Sequence, residues 1–209
     1  MKNISKIISI LKKRYPDAGI ALKFKTAMEL LVATILSAQC TDKRVNIVTP
    51  PLFKKYKTVK AFAIAKPKEL EQEIRSTGFY RNKTKNIIGA AKLIVEKFKG
   101  KVPDNMKDLL TLPGVARKTA NCVLSNWFGK SEGITVDTHV IRVSQRLGLT
   151  KNKIPEKIEL DLMKILPKNI WGKFSHLIIF HGRNICLARN PKCKECPLKK
   201  LCPSFGLFL

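Results

Sequence analysis

The 209-residue chain carries 41 Lys and Arg against 15 Asp and Glu, a formal charge of +26, and 44% of its residues are apolar. That size and apolar share sustain one compact domain or two small ones. No segment reaches the roughly 18 uncharged apolar residues of a membrane-spanning helix, which excludes that class. The charge runs along the whole chain, so it describes a folded basic surface suited to a polyanion, nucleic acid before an anionic membrane, rather than a disordered basic tail.

Nearly every periodic segment has helical spacing. At the N-terminus, Ile4, Ile7, Ile8 and Leu11 alternate with lysines as an amphipathic helix that packs onto the domain. It lacks the apolar block and cleavage site of a signal peptide, so the expected location is a reducing cytoplasm. Residues 26–38 are apolar almost all round and read as a buried central helix. Asp42 is positioned to cap a helix through Val45, Ile47 and Val48 that Pro50-Pro51 would stop. Thr58 opens a short helix, Pro67 heads another over 67–75, and Gly78 ends it. Further helices are predicted over 81–98, from Pro103-Asp104, and near 115–128, 138–147, 155–166 and 171–184. The single strand candidate, Gly133–Val136, is too isolated to make a sheet. The expected fold class is all-α.

Between two of these helices lies Leu112-Pro113-Gly114-Val115-Ala116-Arg117-Lys118-Thr119-Ala120. Pro113-Gly114 is strong turn chemistry, and it delivers Lys118 into the first turn of a helix, where unpaired N–H groups suit a phosphate. The same field, with Arg117 beside it, disfavours the ammonium form of Lys118, and an uncharged lysine is a nucleophile. Asp137, in Val136-Asp137-Thr138-His139-Val140, sits at a helix start, where most aspartates merely cap. Flanked by valines in an acid-poor chain, it is also a candidate proton acceptor for that amine, or a stabiliser of positive charge on a sugar.

Four of the six cysteines crowd the C-terminus as Cys186, Cys193, Cys196 and Cys202. Without a secretion signal, disulfides are the poorer reading. Four thiolates complete the ligand set of a tetrahedral zinc or of a cubane [4Fe–4S] cluster, and the wide gaps favour the cluster, in a structural role. Cys40 and Cys122 read as small buried hydrophobes in apolar helices.

Together these segments resemble the endonuclease III family of DNA glycosylases. Leu112–Ala120 is similar to its helix-hairpin-helix, Val136–Val140 to its catalytic-aspartate motif, and the terminal cysteine spacing to its [4Fe–4S] loop. Leu36–Asp42 and His181-Gly182-Arg183 also match family segments, in the family's order. The resemblance implies two helical domains: a six-helix barrel over residues 20–131, and an iron–sulfur domain of 1–19 with 132–209. Lys118 and Asp137 would face each other across a cleft and carry out base excision and strand cleavage on oxidised pyrimidines in double-stranded DNA, the protein acting as a monomer away from membranes. The implied DNA contacts are Pro113, Gly114, Val115, Ala116 and Arg117 in the hairpin, together with Gln39 as gap filler, Phe79 as wedge and His139 as a local hydrogen-bonder or phosphate contact. Two positions depart from the pattern. Phe79 stands where the family commonly has leucine, and Ala116 where the hairpin often has glycine. The rival readings are a mismatch glycosylase without lyase chemistry, and a DNA-binding module that catalyses nothing.

Overall fold

A computed structural model describes residues 3–207, and among them there are helices and turns but no strands. The chain divides into two units, Ala21–Lys130 and Met1–Ile20 with Ser131–Leu209.

The unit Ala21–Lys130 contains helices α2 (Ala27–Leu36), α3 (Asp42–Lys55), α4 (Val59–Ala63), α5 (Pro67–Ile74), α6 (Tyr80–Lys97), α7 (Met106–Leu109) and α8 (Arg117–Asn126). Helix α2 is its centre, with Leu30, Leu31, Val32, Ala33 and Leu36 entirely enclosed by α3, α6 and α8. Each such leucine contributes roughly 2 kcal/mol of burial. Thr26 caps this helix by accepting from the Glu29 amide, while the Glu29 carboxylate accepts from the Lys25 amide. Thr58 and Pro67 start α4 and α5 as expected.

Helix α3 corrects two expectations. Its cap is Thr41, whose hydroxyl accepts from the Arg44 amide, so Asp42 lies inside the first turn. Pro50 and Pro51 do not stop it. Both prolines are exposed, the carbonyls they deprive belong to the accessible residues Asn46 and Ile47, and buried Val45, Val48, Thr49 and Leu52 hold the helix on either side. Likewise Asn105, not Pro103-Asp104, opens the short α7.

The other unit contains α1 (Ile4–Arg14), α9 (Thr138–Arg146), α10 (Pro155–Ile165), α11 (Trp171–Asn184) and the cysteine loop. Ile7 and Leu11 of α1 join Val140, Val143, Ile158, Leu162, Phe174 and Leu177 in one core, so the basic N-terminal helix spends its apolar face inside the fold. The strand candidate pairs with no strand. Its Ile134 amide donates to the Glu159 carboxylate of α10. Among the described residues no helix is long and apolar enough to cross a membrane.

Candidate functional site

The segment that joins α7 to α8 is a tight turn anchored by two buried side chains, Leu112 and Val115, with the Val115 amide donating to the Leu112 carbonyl. Gly114 has φ +76°, and a β-carbon there would come within 2.7 Å of Asn86 Cβ on α6. Glycine is therefore required both by the turn and by the closeness of α6. Ala116 precedes α8 with φ −87° and ψ 170°, an extended conformation that alanine adopts without strain. No side-chain hydrogen bond caps α8, and a helix start of this kind attracts an anion. Pro113, Gly114 and Ala116 are exposed, and Arg117 is half-buried. Lys118 is the second residue of α8. It is exposed, and its ammonium enters no ion pair among the described residues.

Gln39 and Phe79, far apart in sequence, line one cavity of about 360 Å³ with Lys83, Asn86, Gly114 and Thr119. Gln39 lies in the turn that follows α2, and Phe79 immediately precedes α6. Both side chains are exposed, Phe79 to 65%, an unusual setting for a large apolar ring. Both have left-handed backbones, with φ +53° and +49°. Cys40, beside Gln39, lies outside any helix and is only half-buried, contrary to its reading as a buried helical residue. Cys122 does lie in a helix, α8, but its surface is likewise only half-buried, and desolvation of the thiol raises its pKa.

In the other unit Asp137 caps α9, its Oδ1 accepting from the Val140 amide at 2.8 Å. His139 is half-buried with Nδ1 3.1 Å from Arg142 Nη2. Burial lowers its pKa and Arg142 and Arg183 push it further down, against the pull of Asp137 and of a hydrogen bond to the Gly182 backbone, and the net lowering favours the neutral ring. Helix α11 approaches α9 here through Gly182, where a β-carbon would meet His139 Nδ1 at 3.0 Å and Arg142 Nη2 at 3.2 Å. Gly182→Ala is expected to destabilise the protein by about 1–3 kcal/mol through this crowding. Denaturant titration tests it, and an unchanged midpoint would show that the two helices separate freely.

Cys186, Cys193, Cys196 and Cys202 line a common cavity with Leu147, Ile185, Arg146 and Lys199. The thiols do not converge on one point: among the described residues no three His, Cys, Asp or Glu side chains are grouped to hold a single ion. Burial pushes the Cys196 thiol up to about 11 and raises Cys202 as well, so thiolates in this place call for a compensating cation. Between Cys186 and Leu207 only Leu198 is buried. A segment with so little core needs a cross-link to hold its shape, and a four-thiolate cluster fits that need.

The profile of the HhH-GPD superfamily base excision DNA repair protein matches residues 32–168. Endonuclease III of Synechocystis sp. is 59% identical over 200 residues, covering 96% of this chain and 91% of that protein. The chain belongs to the HhH-GPD superfamily, in its endonuclease III family. The fold agrees with this family: a structure of a non-covalent endonuclease III–DNA complex superposes with a TM-score of 0.91 at 45% identity, covering 97% of this chain and 94% of that one. A trapped endonuclease III–DNA covalent intermediate gives 0.91 and 45%, covering 97% and 95%.

Within this endonuclease III fold, two supporting arginines went unrecognised in the sequence. Arg142 donates to the carbonyls of Gly182 and Cys186, and Arg146 to those of Leu187 and Ala188, so two arginines one turn apart on α9 tie the helix capped by Asp137 to the start of the cysteine loop. Their i, i+4 spacing is the sequence signal that could have marked a shared face. Buried His181 has Nδ1 3.2 Å from the Tyr15 hydroxyl and Nε2 3.6 Å from Cys196 Sγ. Burial depresses its pKa to about 4.

Proposed function

We propose that the protein is a bifunctional DNA glycosylase and AP lyase of base excision repair, acting as a monomer on oxidised pyrimidines and abasic sites in double-stranded DNA. The observation that carries this reading is Lys118, an exposed amine in no ion pair among the described residues, set in the uncapped first turn of α8 just after the Pro113-Gly114 turn. The covalent DNA intermediate trapped for an endonuclease III of 45% identity supports a nucleophile in this family. The formal charge of +26 supplies the attraction to a polyanion.

In this reading the Gly114 and Ala116 amides of the turn hold a backbone phosphate beside the lesion. Phe79 wedges the stack and Gln39 fills the space that the extruded nucleotide leaves. Asp137 takes a proton from the Lys118 ammonium. The amine then attacks C1′ of the sugar, forming the N–C1′ bond as the glycosidic bond breaks and the base leaves with its electron pair. Ring opening gives an iminium between Lys118 and the sugar. Loss of a C2′ proton then expels the 3′ phosphate with the C3′–O electrons, and water releases the lysine. His139, neutral and held by Arg142, keeps the start of α9 in place.

Cys186, Cys193, Cys196 and Cys202 would hold a [4Fe–4S] cluster, which when bound supplies a covalent cross-link and a compensating positive core for four buried thiolates. Cys196→Ser is expected to lose bound iron and acid-labile sulfide and to melt about 5 °C or more below wild type. Full iron content in that variant would refute the ligand assignment.

The reading is tested on a duplex containing thymine glycol, with free base and strand nicks measured in one time course. Both products are expected. Base release without nicking would remove the lyase half, and tight binding without either product would leave only a DNA-binding protein.

A further inference from the structure

Lys83 is 4% exposed, a costly position for an ammonium. Its Nζ donates to the carbonyl oxygens of Leu36 and Thr77, each at 2.8 Å. Leu36 ends α2 three residues before Gln39, and Thr77 ends the 3-10 turn Arg75–Thr77 two residues before Phe79. One buried charge therefore joins the two chain segments that present the cavity's two exposed left-handed residues other than glycine. It also satisfies a carbonyl at the C-terminal end of α2, where a cation is favoured. A left-handed backbone costs a residue with a side chain about 1–2 kcal/mol, so neither loop would hold this shape unaided. Burial draws the Lys83 pKa below the ordinary lysine range, and an apolar side chain of similar size would fill the space at less cost. Packing alone does not explain a lysine here.

We propose that Lys83 is a positioning residue for base extrusion: its ammonium clamps the end of α2 to the turn before α6, fixing Gln39 and Phe79 so that both enter the duplex together. This inference rests on the glycosylase reading above. It separates holding the probes from the chemistry at the sugar, because Lys83 is spent on two carbonyls and touches no reacting atom.

The test is single-turnover excision by wild type and by Lys83→Met on two duplexes carrying the same lesion. In one the lesion is base-paired. In the other it sits in a single-nucleotide bulge, where extrusion costs less. Lys83→Met is expected to slow excision about 10- to 100-fold on the paired lesion, the equivalent of losing one or two charged hydrogen bonds. On the bulged lesion the loss is expected to stay under about threefold. Leu70→Ala, a core truncation in the same unit, shows what general destabilisation does and is expected to slow both substrates alike. Equal losses on the two substrates for Lys83→Met, or none, would overturn the proposal. Wild type inactive on both would overturn the glycosylase reading and this inference with it. If Lys83→Met does not fold, amide hydrogen exchange on wild type decides. Slow exchange at residues 38–40 and 78–80, despite their exposed side chains, is expected, and exchange at the rate of a free loop would overturn the clamp.

Discussion

Lys118→Gln is expected to abolish strand cleavage at an abasic site, with a loss on the order of 10⁴-fold or more, because the variant keeps length and polarity but removes the nucleophile. DNA affinity is expected to change little. The substitution removes one of 41 basic residues, and the slope of log K against log salt should fall by at most about 0.9. Asp137→Asn is the companion experiment. Asparagine caps a helix as well as aspartate does, so the Val140 amide keeps its acceptor and α9 its start. Melting should therefore stay near wild type while turnover falls steeply. A variant that loses stability and activity together would show that Asp137 only caps. If Lys118→Gln cleaves at an undiminished rate, the amine is not the nucleophile and the basic surface alone explains the binding.

The second large effect is expected at Gly114. An added methyl there meets Asn86 at 2.7–2.8 Å and must sit on a backbone with φ +76°. The left-handed conformation costs about 1–2 kcal/mol and the overlap a comparable amount, so Gly114→Ala should lower stability by about 2–4 kcal/mol or open the turn. Opening the turn moves the amides that would hold the phosphate, so affinity for abasic-site DNA should drop with it. Combining Gly114→Ala with Asn86→Gly relieves the overlap but not the backbone strain. The double variant should recover only part of the stability, an interaction that a double-mutant cycle measures directly. Full additivity of the two substitutions would mean that α6 and the turn do not press on each other.

Much of the fold was legible because local chemistry agreed with tertiary packing. Thr58 and Asp137 cap helices, Pro67 starts one, and the continuous apolar run of α2 is the buried centre of its unit. Misreadings came where packing overrode local preference. Pro50 and Pro51 lie on a wet face and leave α3 intact. Candidate site residues carried by short motifs, such as Lys118, Gly114 and the four cysteines, were visible as motifs. Residues that act by holding others were not. Lys83 looks like one more lysine among many, and nothing in its neighbourhood shows that its amine lies under two carbonyls distant in sequence. Arg142 and Arg146 are recognisable only once α11 and the cysteine loop are placed against α9. The left-handed conformations of Gln39 and Phe79 were equally hidden, since neither residue type prefers them.

The central claim is that the Lys118 amine bonds to a deoxyribose, and borohydride reduction with abasic-site DNA tests it most directly. Wild type should be captured covalently, and peptide mapping of the adduct should place the sugar remnant on Lys118, with no capture for Lys118→Gln. An adduct on any other residue, or no adduct while the strand is still cut, would contradict the account.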